Sequence, residues 1–247
     1  MSKRYLLISL VLLIALWQIG AVLLGSPILP GPWPVVHALL NDLQRDLVGH
    51  FLISAYRVLL SMVIATVLAT PLGLMIGQNQ ALNRLLSPAI YLTYPIPKIV
   101  FLPVIMLFLG IGNASKVFMI SLILFFQVLV VVRDASAAVR PELVQSVRSL
   151  GSGRLQLLRY VYFPACLPAV LTALRVSTGT AIAVLFLAES FATQSGLGYY
   201  IMVESWGRMA YPEMYAGVLA MGLLGLALYF VLDQLEQHVC AWIAPGE

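Results

Sequence analysis

The stretch "RPELVQSVRSLGSGRLQLLRYVYFPACLP", residues 140–168, differs sharply from the apolar sequence on either side of it. We call it the basic segment because it carries four arginines. They are Arg140, Arg148, Arg154 and Arg159. Apolar residues recur through it at helical spacing, and Gly151-Ser152-Gly153 interrupts that pattern. The pattern predicts a helix, a turn and a second helix that leads into a long apolar span.

The two ends of the first helix in the basic segment carry sequence signals. Pro141 suits the first helical position, and the negative charge of Glu142 is favourable beside a helix N-terminus. Gly151 stands where glycine commonly ends a helix. The apolar stripe between them consists of Leu143, Val144, Val147 and Leu150. We expect this stripe to enter a groove on another protein. On composition alone, an ordinary basic loop is the simpler interpretation.

The composition of the whole chain sets its class. Of the 247 residues, 61% are hydrophobic and only 10% are charged, and the mean hydropathy is +0.97. Soluble domains are about 45–50% apolar and about 25% charged. The apolar stretches are continuous, whereas the strands of a membrane barrel alternate apolar and polar residues. The fold class is therefore an all-α membrane protein.

The apolar stretches predict one transmembrane domain over residues 1–247, with six spans. The spans are about 5–25, 52–77, 86–110, 117–132, 169–191 and 214–232. Pro95, Pro97 and Pro103 interrupt the third span. Between the first two spans, a short amphipathic helix is expected at the membrane surface. Its apolar positions are Val35, Val36, Leu39, Leu40, Leu43 and Leu47.

The distribution of Lys and Arg predicts the orientation, because loops on the cytoplasmic side are enriched in these residues. A cytoplasmic N-terminus places eight of them inside and three outside. The inner ones are Lys3, Arg4, Arg84, Arg133, Arg140, Arg148, Arg154 and Arg159. The outer ones are Arg45, Lys116 and Arg208. Both termini are therefore expected in the cytoplasm, with residues 133–165 as the largest cytoplasmic loop.

Two places in the spans are candidates for a translocation pathway or gate. Glu189 lies in the fifth span, where a charge costs about 2.5–3.5 kcal/mol and usually faces a cavity or a partner. An interhelical hydrogen bond or ion pair is the alternative, although Arg175 lies about 21 Å away along the same helix. Pro97 and Lys98 lie where prolines free backbone carbonyls, which requires cover by protein or a water-filled cavity.

Two other predictions concern residues near the ends of the spans. Arg57 is expected to extend to the lipid headgroups. An outer aromatic belt is expected to comprise Tyr199, Tyr200, Trp206 and Tyr211. The chain contains no G-x-x-x-x-G-K-[ST] phosphate loop, and its three histidines lack a H-E-x-x-H or G-x-S-x-G context. We therefore predict no catalytic residue, metal site or cofactor in the chain, and no nucleic-acid partner.

The basic segment resembles the cytoplasmic loop of bacterial ABC importer permeases. The family motif reads E-A-A, three residues, Gly, nine residues, then I-x-L-P. Here Gln145-Ser146-Val147 occupies the E-A-A place, Gly151 follows after three residues, and Val161-Tyr162-Phe163-Pro164 follows after nine more. The spacing matches at each step. The replacement of Glu by Gln145 removes any salt bridge from that position, but keeps a helix-in-groove mode possible.

Four other stretches resemble the nitrate/sulfonate/taurine/bicarbonate branch of these permeases. They are "SPILPGPWPVV" (26–36), "SAYRVLLSMVIATVLATPLGLMIG" (54–77), "YPIPKIVFLPVIMLFLGIG" (94–112) and "AESFATQSGLGYYI" (188–201). The resemblance implies a six-helix type I importer permease with a coupling helix between the fourth and fifth spans. The residues it assigns to ATPase coupling are Glu142, Gln145, Ser146, Val147, Arg148 and Gly151.

The resemblance also implies the partners and the function. It places the chain in the bacterial inner membrane, surrounded by lipid, as one of two permease copies that form a homodimer. A pair of ABC ATPase subunits would bind ATP and Mg, and an extracytoplasmic binding protein would deliver a small anionic or heteroaromatic solute. The chain itself would not be an enzyme. A stand-alone ion-coupled transporter or channel, and a membrane scaffold without transport, remain alternatives.

Overall fold

The structure, a computed structural model, describes residues 3–242 apart from the side chains of Lys3 and Leu6. All regular secondary structure in these residues is helical. The side chain of Lys3, which contributes to the predicted orientation, lies outside the described residues. Residues 243–247 at the C-terminus also lie outside them.

Five long helices and one bent pair account for the membrane spans. The long helices are α1 (Lys3–Leu24), α3 (Leu47–Gln78), α6 (Asn113–Ala137), α9 (Phe163–Ser190) and α11 (Tyr211–Val239). The shorter helices are α2 (Pro32–Asp42), α4 (Gln80–Thr93), α5 (Leu102–Leu109), α7 (Pro141–Ser149), α8 (Arg154–Leu157) and α10 (Leu197–Tyr199). A π-helical turn, Leu158–Tyr162, joins α8 to α9. Six spans result when the bent pair, α4 with α5, counts as one.

The third span is broken where the sequence predicts an interruption. α4 and the helical stretch Lys98–Leu109 meet at an angle of 76°. Pro95 and Pro97 lie in the connection between them. Pro103 does not contribute to the break, because it lies in the first turn of α5, where a missing N–H removes no helical hydrogen bond.

Several helices extend beyond the predicted span boundaries. α3 begins at Leu47, α6 ends at Ala137, and α11 ends at Val239. Hydropathy identifies only the apolar part of a helix, whereas backbone hydrogen bonding continues into its polar ends. The predicted cytoplasmic loop, residues 133–165, begins inside α6 and is mostly helical, in line with the helix-turn-helix pattern of the basic segment. The non-helical connections in this range are only residues 138–140 and 150–153.

The helices group into two compact units. One contains the chain up to Ala55 with Glu189–Leu224, and the other contains Tyr56–Ala188 with the chain from Gly225. In the first unit, Val35 and Ala38 of α2 pack in a core with Ala216 of α11. Half of the predicted apolar stripe is exposed instead. Its exposed members are Val36, Leu40 and Leu43.

In the second unit, α3 and α6 approach closely through small residues. A Cβ atom added to Gly73 would lie 2.9 Å from the Val132 Cβ, and one added to Gly77 would overlap the Arg133 carbonyl oxygen. The Ser136 hydroxyl donates to the Leu74 carbonyl oxygen at 3.1 Å. Small residues commonly allow such backbone approach between membrane helices. The Gly73–Gly77 pair is thus a helix contact within the chain.

Candidate functional site

α7 forms as the basic segment predicts. Pro141 is in its first turn with Glu142, and Arg148 is in its last turn. Gly151 adopts φ +82°, and its N–H donates to the Arg148 carbonyl oxygen at 2.9 Å. This left-handed conformation favours glycine, because a side chain would crowd the backbone. Gly151 therefore ends the helix and turns the chain toward α8.

The side chains of α7 are open to the surroundings. None of its residues is buried, and only Val144 and Val147 are half-buried. The other residues assigned to coupling are exposed: Glu142, Gln145, Ser146, Arg148 and Gly151. Leu143 is 44% exposed and Leu150 is 84% exposed. The apolar stripe of α7 is therefore largely available to a partner.

α7 is connected closely to two membrane helices. Residues 138–140 join it to α6, and residues 150–153 join it to α8. α7 also packs against α8 and the π-helical turn. Because α8, that turn and α9 form one continuous helical stretch, Arg154–Ser190, a displacement of α7 would act directly on α6 and α9.

Arg133 fastens the end of α6 to α4. Its side chain is only 3% exposed, and Nη2 donates to the Tyr91 hydroxyl at 3.3 Å. Nη1 lies 3.5 Å from the Ser87 hydroxyl, and Nη2 lies 2.7 Å from Oδ1 of Asp134. The guanidinium also lies 5.2 Å from the Tyr91 ring centroid. From the sequence, Arg133 is evident only as a charge on the inner side, because Tyr91 and Ser87 lie more than 40 residues away along the chain.

Arg175 connects α9 to α11. Nη1 lies 2.5 Å from Oδ1 of Asp233 and 3.2 Å from Oε2 of Glu236. The Thr172 hydroxyl donates to Oε1 of Glu236 at 2.8 Å. The predicted sixth span, about 214–232, stops before both carboxylates. They lie instead on the last turns of α11.

Glu189 lies in a buried polar cluster. The carboxylate is fully buried, with the Ser54 hydroxyl 2.9 Å from Oε1 and 2.8 Å from Oε2. The Gly198 N–H donates to Oε2 at 3.0 Å, and the Leu197 N–H donates to the Ser54 hydroxyl at 2.8 Å. This geometry is an interhelical hydrogen bond between α3 and α9, one of the two interpretations of Glu189 that the sequence allows. A role in the pathway or gate stays a prediction.

Gly196 and His50 complete the cluster around Glu189. Gly196 has φ +111°, and an added Cβ atom would overlap the Glu189 carboxylate. The Gly196 N–H donates to Nδ1 of His50 at 3.0 Å, and Nε2 of His50 lies 3.4 Å from Oε2 of Glu204. His50 and Ser54 are four residues apart on α3, so they face the same side. Their place in the cluster with Glu189 is not evident from the sequence, because the contacts join distant stretches of the chain.

Tyr200 does not belong to an exposed aromatic belt. It is 4% exposed, and its hydroxyl donates to Oδ2 of Asp42. Burial, and after it the bond to Asp42, raise the pKa of the Tyr200 phenol above its usual range. The phenol therefore stays protonated and donates at neutral pH. Trp206, in contrast, is 53% exposed, as the belt prediction requires.

Lys98 satisfies backbone carbonyls at the break in the third span. Nζ donates to the carbonyl oxygens of Thr93 at 3.0 Å and Tyr94 at 3.2 Å. It also lies 4.4 Å from the Phe126 ring centroid. A cation at the C-terminal end of α4 is favourable there. Lys98 and Pro97 thus stabilise the bend, and their role in a pathway stays a prediction.

Arg57 is not extended toward the headgroups. The side chain is 2% exposed, and Nε donates to Oδ1 of Asn113, the first residue of α6, at 2.9 Å. The prediction was wrong because Asn113, at the start of α6, offers an acceptor within reach that hydropathy alone does not reveal.

The known proteins that this chain resembles are membrane components of transport systems. Residues 69–243 match the family model described as "binding-protein-dependent transport system inner membrane component". The taurine transport system permease protein of Escherichia coli (strain K12) is 30% identical over 94% of this chain and 86% of its own length. The putative aliphatic sulfonates transport permease protein of Bacillus subtilis (strain 168) is 28% identical over 93% of this chain and 84% of its own length.

A solved structure shares the fold. A chain of the inward-facing MetNI methionine ABC transporter superposes with a TM-score of 0.67 at 19% identity. The match covers 80% of this chain and 98% of that chain. This likeness extends the sequence comparison to the arrangement of the helices.

Proposed function

The chain belongs to the binding-protein-dependent transport system inner membrane components, in the nitrate/sulfonate/taurine branch, and from this membership we propose a specific role for it. It is the permease subunit of an ATP-driven importer. A pair of separate ATPase subunits binds α7 from the cytoplasm, and an extracytoplasmic binding protein delivers the solute. Two copies of the chain form the pathway.

The exposed surface of α7 carries this proposal. A short helix without a buried residue of its own, with Leu143 and Leu150 open to the surroundings, is suited to a groove on a partner. The E-A-A-type spacing that ends at Gly151 supports an ATPase as that partner. Docking of this kind gives a soluble ATPase mechanical access to the membrane helices.

The contacts around α7 offer a route for coupling. ATP-driven closure of the ATPase pair displaces α7, and residues 138–140 transfer the displacement to α6. Arg133 passes it to α4, while Ser136 and the close approach at Gly77 pass it to α3. α9 moves with α7 at the other side, and Arg175 transfers that motion to α11. Such a contiguous network is the physical requirement for coupling two conformations.

The proposed solute is a small sulfonate or a related anionic or heteroaromatic compound. This part of the proposal rests on the names of two relatives, which are permeases of taurine and aliphatic sulfonate transport systems. Screening the associated binding protein against taurine, alkanesulfonates, nitrate and pyrimidines by calorimetry would identify the solute class.

The first experiment is purification of the protein in mild detergent and in lipid nanodiscs, followed by mass spectrometry of co-purifying proteins. A stoichiometric ATPase is expected. Recovery of this chain alone under both conditions would contradict the importer proposal and favour a stand-alone transporter or channel. A bound ATPase whose activity never responds to binding protein and solute would favour a scaffold.

The second experiment tests α7 through its terminal glycine. Gly151→Val introduces strain of about 1–3 kcal/mol at φ +82° and should displace the end of α7. ATPase association and solute uptake should fall. Gly153→Val is the matched control, because Gly153 has an ordinary φ of −77° and no atom within 3.4 Å of an added Cβ. Equal behaviour of the two variants would contradict the role assigned to α7.

A further inference from the structure

A polar pocket lies beside α7 in the second unit. It has a volume of about 390 Å³ and is formed by the α3–α4 corner, the end of α7 and the start of the helix that becomes α9. We call it the basic pocket. Its polar lining residues are Gln78, Asn79, Gln80, Arg148, Arg154 and Tyr162.

Three side chains of the basic pocket present hydrogen-bond donors that have no acceptor among the described residues. Arg148 and Arg154 form no hydrogen bond or ion pair through their guanidinium groups with any residue that the structure describes. Nε2 of Gln78 is buried and also has no hydrogen-bond partner among the described residues. Buried polar groups are normally satisfied, so this amide group, beside two arginines, is available to an acceptor that enters the pocket.

The lining of the basic pocket also determines the charge of its ligand. It includes two guanidinium groups and no carboxylate. Arginine favours carboxylate and phosphate oxygens, because its planar donors match their geometry. The ligand of the pocket is therefore anionic.

We propose that the basic pocket receives an acidic side chain, Asp or Glu, from the ATPase subunit that docks on α7. This inference rests on the proposed function. A protein partner is favoured over a lipid headgroup because the pocket adjoins the open apolar stripe of α7, where Leu150 needs cover at the same contact. Gln145 stands where the family motif has Glu, so this position supplies no carboxylate to Arg148 or Arg154.

The basic pocket extends the contact of the ATPase beyond α7. Gln78, Asn79 and Gln80 form the corner between α3 and α4, and Asn79 caps α4 by accepting from the Ala81 N–H at 3.0 Å. A carboxylate held between this corner and Arg148 would bind both at once. The ATPase would then act on α3 and α4 directly, in addition to acting through α6.

The test measures ATPase binding to the full chain in nanodiscs. Arg148→Glu combined with Arg154→Glu should weaken association about tenfold or more, because it replaces attraction by repulsion at a close contact. The salt dependence of the remaining association should also decrease. Arg84→Glu is the matched control, since Arg84 is an exposed arginine on α4 that does not line the pocket. It should leave association unchanged.

A second variant keeps both arginines. Gln78→Glu supplies an internal carboxylate to the basic pocket and should compete with the acidic side chain of the ATPase, lowering association without removing a positive charge. A photocrosslinker at position 148 should capture an ATPase peptide that contains Asp or Glu. Reversal of that acid to Lys should restore binding to the Arg148→Glu variant.

The outcomes separate the two proposals. If the wild-type chain retains no ATPase, the proposed function fails and this inference fails with it. If the wild type binds the ATPase and the double variant binds equally well, only the inference fails. Loss of binding to vesicles of anionic phospholipid, with ATPase association unaltered, would assign the pocket to lipid and would also overturn the inference.

Discussion

Glu189 shows how an ionisable residue is accommodated at the end of an apolar helix. Its carboxylate is fully buried, yet the Ser54 hydroxyl and the Gly198 N–H donate to it. Gly196 has to lack a side chain for the loop to approach the carboxylate. One buried acid thus holds the end of α9, the loop that follows it and the beginning of α3 in a single arrangement.

Substitution of Gly196 should destabilise this arrangement strongly. Gly196→Ala adds a Cβ atom that overlaps the Glu189 carboxylate, at a φ of +111° that costs about 1–3 kcal/mol for a residue with a side chain. We expect a clear decrease in the thermal unfolding midpoint in detergent. Gly207→Ala, in the same loop region, meets no atom closer than 3.9 Å and should change the midpoint little. A stable Gly196→Ala variant would refute the tight packing at this site.

Replacement of the acid itself separates a structural role from a role in transport. Glu189→Gln keeps the size of the side chain but retains one acceptor oxygen, which should cost about 1–3 kcal/mol of stability. Uptake per folded complex should stay close to that of the wild type. A loss of uptake at unaltered stability would instead place Glu189 in the pathway.

At the scale of the helix, small residues and polar ends determine which helices contact each other. Gly73 and Gly77 bring α3 against α6, and the Ser136 hydroxyl adds a hydrogen bond to the α3 backbone. Arg133 then holds the same end of α6 against α4. These contacts make α3, α4 and α6 one mechanical group within their unit.

The glycines of α3 provide a matched pair for testing this contact. Gly77→Ala should destabilise the protein, because the new Cβ atom would overlap the Arg133 carbonyl oxygen and lie 2.6 Å from the Ser136 Cβ. Gly49→Ala has open space and should be neutral or stabilising by up to about 1 kcal/mol, since alanine favours helix. Circular dichroism, recorded while each variant unfolds in detergent, would compare their stabilities. Similar stability losses would exclude packing as the cause.

The sequence predicts the spans and α7 well, because hydropathy, proline and glycine act locally. Pro95 and Pro97 predict the break in the third span, and Gly151 predicts the end of α7. The partners of Glu189, Arg57 and Arg175 could not be predicted, since each contact joins residues distant in the chain. Helix ends were also missed, because polar residues such as Asp233 continue a helix without contributing to hydropathy.

At the scale of the whole molecule, the chain combines candidate membrane spans with a short exposed helix, α7, and its sequence contains no phosphate-binding loop. Its family consists of inner membrane components of transport systems, and its fold is shared by a chain of an ABC transporter. The ionic and hydrogen-bonded contacts of α6 and α9 are placed where force applied to α7 would enter the membrane helices. Under the proposed function, the energy for transport comes from the ATPase partner.

Reconstitution should demonstrate this dependence. Proteoliposomes that contain this chain alone should show no concentrative uptake of the solute. Addition of the ATPase and the binding protein should produce uptake that requires ATP, measured with radiolabelled solute. The Gly153→Val chain should support this uptake and the Gly151→Val chain should not. Uptake by the chain alone, driven by an ion gradient, would contradict the dependence on ATP.

α1 has a different relation to the rest of the chain. The 18 residues Leu7–Leu24 are predominantly apolar, with Ser9 and Gln18 as the polar exceptions, and none of them is buried. Trp17 differs from the other residues of α1 because it makes a specific contact with the rest of the chain. Its indole N–H donates to the Pro30 carbonyl oxygen at 3.0 Å. The fold of this chain therefore requires α1 to be apolar, but at most positions it does not require one particular apolar residue. Over evolutionary time its leucines, isoleucines and valines can exchange places freely, so that related sequences would drift apart here first while Trp17 stays in place.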